Sequence, residues 1–522
     1  MQHSWMAGVL MLTLLAATAP APAQITQARV TGGTVEGRAV DGIGEFKGIP
    51  FAAPPVGALR WQAPQPVPAW SGVKHTVAFG AACMQEPRMA NQMAPGVPMS
   101  EDCLVLDVWT PARTPADRLP VIAWIYGGGF SGGMTSAPLY DGANFARKGV
   151  VLVSISYRVG VFGFLATPAL SRESGHGSGN YGLLDQIAGL RWVRANIAQF
   201  GGDPSKVTVM GHSAGGFAVS MLAASPLAKG LFRGVISQSG ANFAPVQHDA
   251  PWAGGIIQGL AAAERVEGAW LAGLGVTNLA QARALPADRL NEAQSAKGAP
   301  RFWPPVDGYV VRDDQVRLWR AGRFNDTPIL VGDVSDEAAA FGVRRTRPGE
   351  FEAEVRAGYG RFAAALLAAY PHASEAEATR AATQLRSDTT FDWGEFTWAR
   401  EQARHGRGRV WMYRFDRPTP ANPDGSGHGQ EVAYVFGNLG VGNRPQPSAG
   451  DRALSQQMQS YWVNFATSGD PNGIGLPRWP AFSAAQPRLM RFGVDPGPAP
   501  VADLQRLTVL DGYYDWRRAG GH

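Results

Sequence analysis

Cysteine is nearly absent, with only Cys83 and Cys103 among 522 residues. The chain holds no C-x-x-C pair and no H-E-x-x-H run, so no metal site is expected from it. Charge is sparse, at 17% of residues, and the net excess is only +5. No block of five or six like charges occurs, which leaves no electrostatic footprint for nucleic acid. No apolar run reaches the ~18 uninterrupted residues a membrane-spanning helix requires. Internal repeats and low-complexity linkers are lacking too. At 45% hydrophobic residues the composition is that of an ordinary globular protein with a sizeable core.

The N-terminus carries a short apolar stretch, Met6 to Ala17, followed by Ala21-Pro22-Ala23 before Gln24. This is the pattern of a secretory signal peptide with an A-x-A cleavage site, over residues 1–23. Its first residues, MQHSW, contain no Lys or Arg, a departure from the usual charged start. An exported protein, periplasmic or secreted, is therefore expected. Export places the two cysteines where disulfides persist, and a Cys83–Cys103 bridge is the expectation.

Further along, extended and turn segments alternate, as in Gly44–Pro50 and the Pro-rich Phe51–Gly57. Two apolar strands follow, over Leu119–Tyr126 and Gly149–Tyr157. Tyr181–Phe200 then has apolar residues at nearly helical spacing. Buried strands are predicted at Val207–Met210, Val235–Ser237, Pro328–Gly332 and Arg409–Phe415. Strand and helix in alternation mean βαβ units, an α/β fold, and a mostly parallel central sheet flanked by helices. Ala- and Arg-rich helical stretches at about 250–300 and 350–386 read as large insertions over that sheet, within one domain spanning 24–522.

Gly211-His-Ser213-Ala-Gly215, with Gly216 following, lies between a predicted strand and a predicted helix. A strand turning into a helix within one residue strains that residue and requires small neighbours two positions away. Ser213 is thus either an exposed nucleophile on a sharp corner or a plain helix N-cap. An activated serine needs a base, an orienting acid and oxyanion donors. Among nine histidines, His428 stands out, in the flexible loop Gly425-Ser-Gly-His-Gly429. His75, His176, His248, His372 and His405 sit in polar or helical contexts, and His212 is expected to point away from the serine hydroxyl. Asp333, Asp336 and Glu337 follow the Ile329–Gly332 strand, and spacing leaves the choice of acid open. Gly127-Gly128-Gly129, directly after a strand, supplies backbone N–H groups for an anion. A phosphate loop is the rival there, but G-x-x-x-x-G-K-[ST] is absent, as is the dinucleotide G-x-G-x-x-G spacing, so no cofactor is expected.

Taken with GIPFAAPPVGALRW from Gly48, WIYGGGF from Trp124, SYRVGVFGFL from Ser156, GNYGLLDQ from Gly179 and WVNFATSGDPN from Trp462, these motifs resemble the type-B carboxylesterases. That α/β-hydrolase family includes cholinesterases and bacterial para-nitrobenzyl esterases. The resemblance covers nearly the whole chain after the leader. It implies a serine ester hydrolase acting on small-molecule esters through Ser213, Glu337 and His428. It further implies oxyanion donors at Gly128, Gly129 and Ala214, a supporting role for Ser239 behind the acid, and ion pairs Arg60–Glu101 and Arg158–Asp185. The glycine that usually follows the acid is here Ala338.

Two further departures bear on substrate. His212 stands where many relatives carry Glu, removing a negative charge beside the serine. The stretch between Cys83 and Cys103 has no aromatic residue, only Met84, Met89, Met93 and Met99 among polar residues and prolines. A quaternary ammonium needs an aromatic face or a carboxylate, so choline esters are not expected substrates. Phe130, Phe302, Trp303 and Phe341 are candidates for an apolar pocket, the last three equally for core packing. A catalytically silent binding or adhesion relative, or a lipase- or lactonase-type hydrolase, is the alternative.

Overall fold

The structure, a computed structural model, describes residues 23–247, 257–419, 422–423, 425–442, 444–502 and 504–521. The leader expected over residues 1–23 lies, apart from Ala23, outside them.

Most of the apolar runs become strands of one eleven-stranded sheet. Its middle is parallel: Val151–Ile155, Leu119–Ile125, Gly202–His212, Gly234–Gln238, Ile329–Val334, Val410–Phe415 and Arg488–Phe492 lie side by side in that order. Antiparallel strands close both edges, Val105–Thr110, Ile43–Pro50 and Arg38–Val40 on one side and Gly497–Pro500 on the other. Val207 and Val209 are fully buried, as are Ile122 and Ala123 on the neighbouring strand. Side chains buried on both faces are what a parallel sheet covered by helices requires.

The predicted helix over Tyr181–Phe200 is α-helical to Asn196 and tightens into a 3-10 turn over Ile197–Phe200. Helices Leu260–Gly273, Leu279–Ala284 and Ala287–Ser295 occupy the first Ala-rich stretch. Pro348–Tyr359, Ala363–Ala369 and Glu375–Ser387 occupy the second.

Cys83 and Cys103 are bonded, with an S–S distance of 2.06 Å. The closed loop is pinned to the glycine-rich segment by Gln85. Its amide donates to the Gly133 carbonyl at 2.8 Å, and its carbonyl accepts from the Gly133 N–H at 2.8 Å. Arg60 meets Glu101 through two hydrogen bonds of 2.6 and 2.5 Å, and Arg158 meets Asp185 through two of 2.8 and 2.7 Å. Both guanidiniums are tied up in these ion pairs, although Nη1 of Arg158 is buried with no protein partner. No helix among the described residues is long and apolar enough to cross a membrane.

Candidate active site

The strand Gly202–His212 passes into the helix Ala214–Ala224 through Ser213 alone. Ser213 takes φ 56° and ψ −123°, a conformation costly for a residue with a side chain. Its side chain makes no capping hydrogen bond, so the N-cap alternative has no support. The flanking glycine is sterically required: a Cβ on Gly215 would lie 2.1 Å from the Ile125 carbonyl oxygen. The backbone is locked in place by the Ser213 N–H, which donates to the Gln238 carbonyl at 2.8 Å.

Two loops meet beside this corner. One follows the strand Ile329–Val334 and the other follows Val410–Phe415, two strands that pair in parallel. The loops are joined by their own backbone: the Asp336 N–H donates to the Ser426 carbonyl at 2.9 Å, and the Ser426 N–H to the Ser335 hydroxyl at 3.0 Å. Of the three carboxylates, Asp333 is engaged by Arg414 at 2.7 Å, and Asp336 accepts from the Asn422 amide at 3.0 Å. Glu337 is the one that reaches the histidine. Its Oε2 lies 2.5 Å from Nδ1 of His428, and its Oε1 accepts the Val334 N–H at 3.0 Å. Glu337 is fully buried. The far nitrogen of the ring, Nε2, is buried with no protein partner.

Gly128 and Gly129 follow the strand Leu119–Ile125, and their N–H groups donate to no other described residue. Gly128 has φ 127°, and a Cβ there would lie 2.2 Å from the Gly132 carbonyl oxygen. Ala214 opens its helix, where a backbone N–H has no acceptor within the helix.

Ser239 departs from the expectation drawn from the resemblance. Its hydroxyl is buried and makes no hydrogen bond, while its N–H donates to the Gly332 carbonyl at 2.7 Å. Support for the acid comes from the Val334 amide instead. The aromatic candidates divide. Phe341 is 58% exposed, and its ring lies 5.1 Å from that of His428. Trp303 is half-buried and meets Phe130, itself fully buried, at 5.1 Å. Phe302 is buried against Trp270 at 5.0 Å and has no ring contact with the others, so packing accounts for it.

Three neighbours, Phe391, Phe217 and Glu431, escaped the sequence reading, and the packing of His212 did too. Phe391 lies 4.6 Å from the His428 ring, and Phe217 links Trp303 to Phe391 at 5.9 and 6.2 Å. His212 packs its ring 4.6 Å from that of His428. Behind it Glu431, fully buried, places Oε1 3.8 Å from His212 Nε2 and accepts the Gln238 amide at 3.2 Å. Burial, followed by the neighbouring His428 and Arg444, holds the His212 pKa well below its ordinary 6.5. Burial and then the Glu337 charge push Glu431 up to about 7. Both shifts favour a neutral pair.

A pH dependence follows. The folded pKa of Glu431 is raised above 4.5, so the folded protein holds a proton that the unfolded chain releases. The stability from this group is fully present below pH 4.5 and is lost as pH rises to about 7. The loss is on the order of 3 kcal/mol. Glu431→Gln keeps a neutral group at every pH and is expected to flatten that window, which urea unfolding midpoints from about pH 4.5 to 8 would check.

Residues 23–504 match the carboxylesterase family. The fumonisin B1 esterase of Sphingopyxis macrogoltabida is 39% identical over 503 residues, covering 93% of this chain and 90% of that one. The para-nitrobenzyl esterase of Bacillus subtilis is 34% identical, with 86% and 91% covered. A solved para-nitrobenzyl esterase structure superposes with a TM-score of 0.81 at 31% identity, over 93% of this chain and 99% of the other. The chain belongs to the carboxylesterase family: it is a carboxylic ester hydrolase built on the α/β-hydrolase fold.

Proposed function

We propose that the protein is an exported serine carboxylesterase that works through an acyl-enzyme, with residues 24–522 as its catalytic domain. The observation that carries the proposal is the 2.5 Å hydrogen bond between Glu337 and His428, beside a serine held at φ 56°. Ser213 Oγ attacks the ester carbonyl as its proton passes to Nε2 of His428. Glu337, on Nδ1, fixes the tautomer that leaves Nε2 free to accept and stabilises the imidazolium that forms. The N–H groups of Gly128, Gly129 and Ala214 bind the oxyanion, each such donor being worth about 3 kcal/mol in the transition state. The proton on Nε2 then goes to the departing alcohol. Water, deprotonated by the same nitrogen, attacks the acyl carbonyl and frees the carboxylic acid and Ser213.

The electrostatics favour neutral esters. Below about pH 7, His212 and Glu431 leave no charge of their own beside the base. The disulfide loop offers Met89 at the glycine segment, close enough that a Cβ on Gly132 would meet its sulfur at 2.2 Å. A thioether gives a quaternary ammonium neither an aromatic face nor a carboxylate. The substrate panel should hold p-nitrophenyl esters of graded acyl length, fumonisin B1, acetylcholine and its neutral isostere 3,3-dimethylbutyl acetate. The neutral acetate is expected to exceed acetylcholine in kcat/KM, and the reverse order would refute the neutral preference.

Export rests on the leader pattern and on a disulfide that persists in oxidising compartments. Expressed whole in a bacterium, the chain is expected outside the cytoplasm with Gln24 as its first residue. N-terminal sequencing of the fractionated protein checks this, and an intact Met1 on cytoplasmic protein would count against it.

A further inference from the structure

Glu337 begins a single 3-10 turn, Glu337–Phe341, and so short an element has few internal hydrogen bonds to fix it. Its anchoring comes from the helix Glu375–Ser387. Arg386 donates through Nη2 to the carbonyl of Ala338 at 2.5 Å and to that of Gly342 at 2.6 Å. The adjacent Ser387 accepts the Ala338 N–H at 3.0 Å and donates to the Thr383 carbonyl at 3.2 Å. The turn is therefore gripped at both ends, one residue after the acid and one residue after Phe341.

The same helix continues as a π-helical turn, Asp388–Asp392. That turn is held by Asp388, which accepts from the Tyr370 hydroxyl at 2.5 Å, Gln384 at 2.7 Å and Arg506 at 2.8 Å. It presents Phe391 to the imidazole at 4.6 Å and stacks it on Phe341 at 6.0 Å, the planes 10° apart. One continuous segment thus fastens the acid's turn from outside and backs the base from within. π-turns inside helices recur at functional sites.

We propose that Arg386 and Ser387 are positioning residues for ester hydrolysis. They hold the Glu337 turn in register with His428 and so set turnover without touching substrate. The inference rests on the proposed roles of Ser213, His428 and Glu337. Arg386 is exposed, so removing the guanidinium opens no cavity and the fold is expected to survive.

The test is Arg386→Met, assayed with p-nitrophenyl acetate beside Arg386→Lys, Glu337→Gln and the double variant. A small misplacement of the acid is expected to lower kcat about 10- to 100-fold, with KM changed less than about 2-fold. Arg386→Lys, which keeps a cationic donor, is expected to recover most of that loss. Because Arg386 acts through Glu337, adding Arg386→Met to Glu337→Gln is expected to lower kcat no further. Ser387→Ala should follow the same pattern. Wild-type kcat in Arg386→Met, or an equal loss on both backgrounds, would overturn the inference while leaving the proposed triad standing. Full turnover in Glu337→Gln would overturn the triad, and the inference with it.

Discussion

Replacing Ser213 with Ala is expected to lower kcat toward activated aryl esters by about 10^5-fold or more, with the fold intact. The size follows from what the hydroxyl does. Without it no acyl-enzyme forms, and His428 and Glu337 have no proton transfer to serve. What survives is the modest help that oxyanion donors and substrate binding give to direct attack by water, about 10^3- to 10^4-fold over the uncatalysed rate. Stability should change little. Ser213 already stands in a strained backbone state imposed by its neighbours, and its side chain makes no capping bond that Ala would lose. A circular dichroism melt within a few degrees of wild type, together with the lost turnover, is the expected pair of results.

The second large effect is at Glu337. Glu337→Gln keeps the shape but presents a neutral amide to Nδ1. The amide can donate as well as accept, so the ring is no longer held in the tautomer that leaves Nε2 free as an acceptor. The imidazolium formed during attack loses its counter-charge at 2.5 Å, at a carboxylate fully buried from bulk solvent. A fall in kcat of about 10^3- to 10^4-fold is expected, with KM much less affected. Asp336→Asn is the matching control. Asp336 accepts from Asn422, and the ring's Nδ1 is bonded to Glu337, so its loss should cost far less turnover. Equal losses at the two positions would contradict the assignment.

How much of this was legible in the sequence depends on the distance over which each feature is determined. The strand–serine–helix corner was legible as one of two readings, nucleophile or N-cap, because its causes are local. A β-branched run, a serine and glycines two residues to either side dictate the turn, and the structure adds only the atom that each Cβ would strike. The parallel strands were equally local, and their ends moved by a residue or a few. The extension of the strand over Val207–Met210 to Gly202–His212 comes from its neighbours in the sheet on both sides.

The acid was not local. Asp333, Asp336 and Glu337 lie within five positions, and what separates them is which one faces a ring 91 residues further along. Family likeness pointed to Glu337, whereas spacing could not. The same likeness suggested help from Ser239, and there the details differ, since its hydroxyl has no partner. His212 was expected to point away from the serine hydroxyl, and the structure adds that its ring packs on His428, because the loop carrying His428 returns across the elbow. Glu431, three residues after His428 on a short helix, carried no signal of its own: its burial and the nearby Glu337 charge, both set by the fold, push its pKa up. Phe391 was hidden in a helical insertion, where an aromatic residue usually means packing. Phe302 and Trp303 are neighbours in sequence, yet only Trp303 joins the ring chain leading to the base.

In the proposed mechanism Ser213 is the one nucleophile, activated through His428. The most direct measurement is the intact mass and peptide map of the full chain after treatment with a fluorophosphonate ester. One adduct per molecule is expected, on the peptide holding Ser213, appearing in step with the loss of esterase activity. In His428→Ala, adduct formation is expected to be slowed by several orders of magnitude. An active enzyme that takes up no label at Ser213, or loses activity through an adduct elsewhere, would contradict the proposed mechanism.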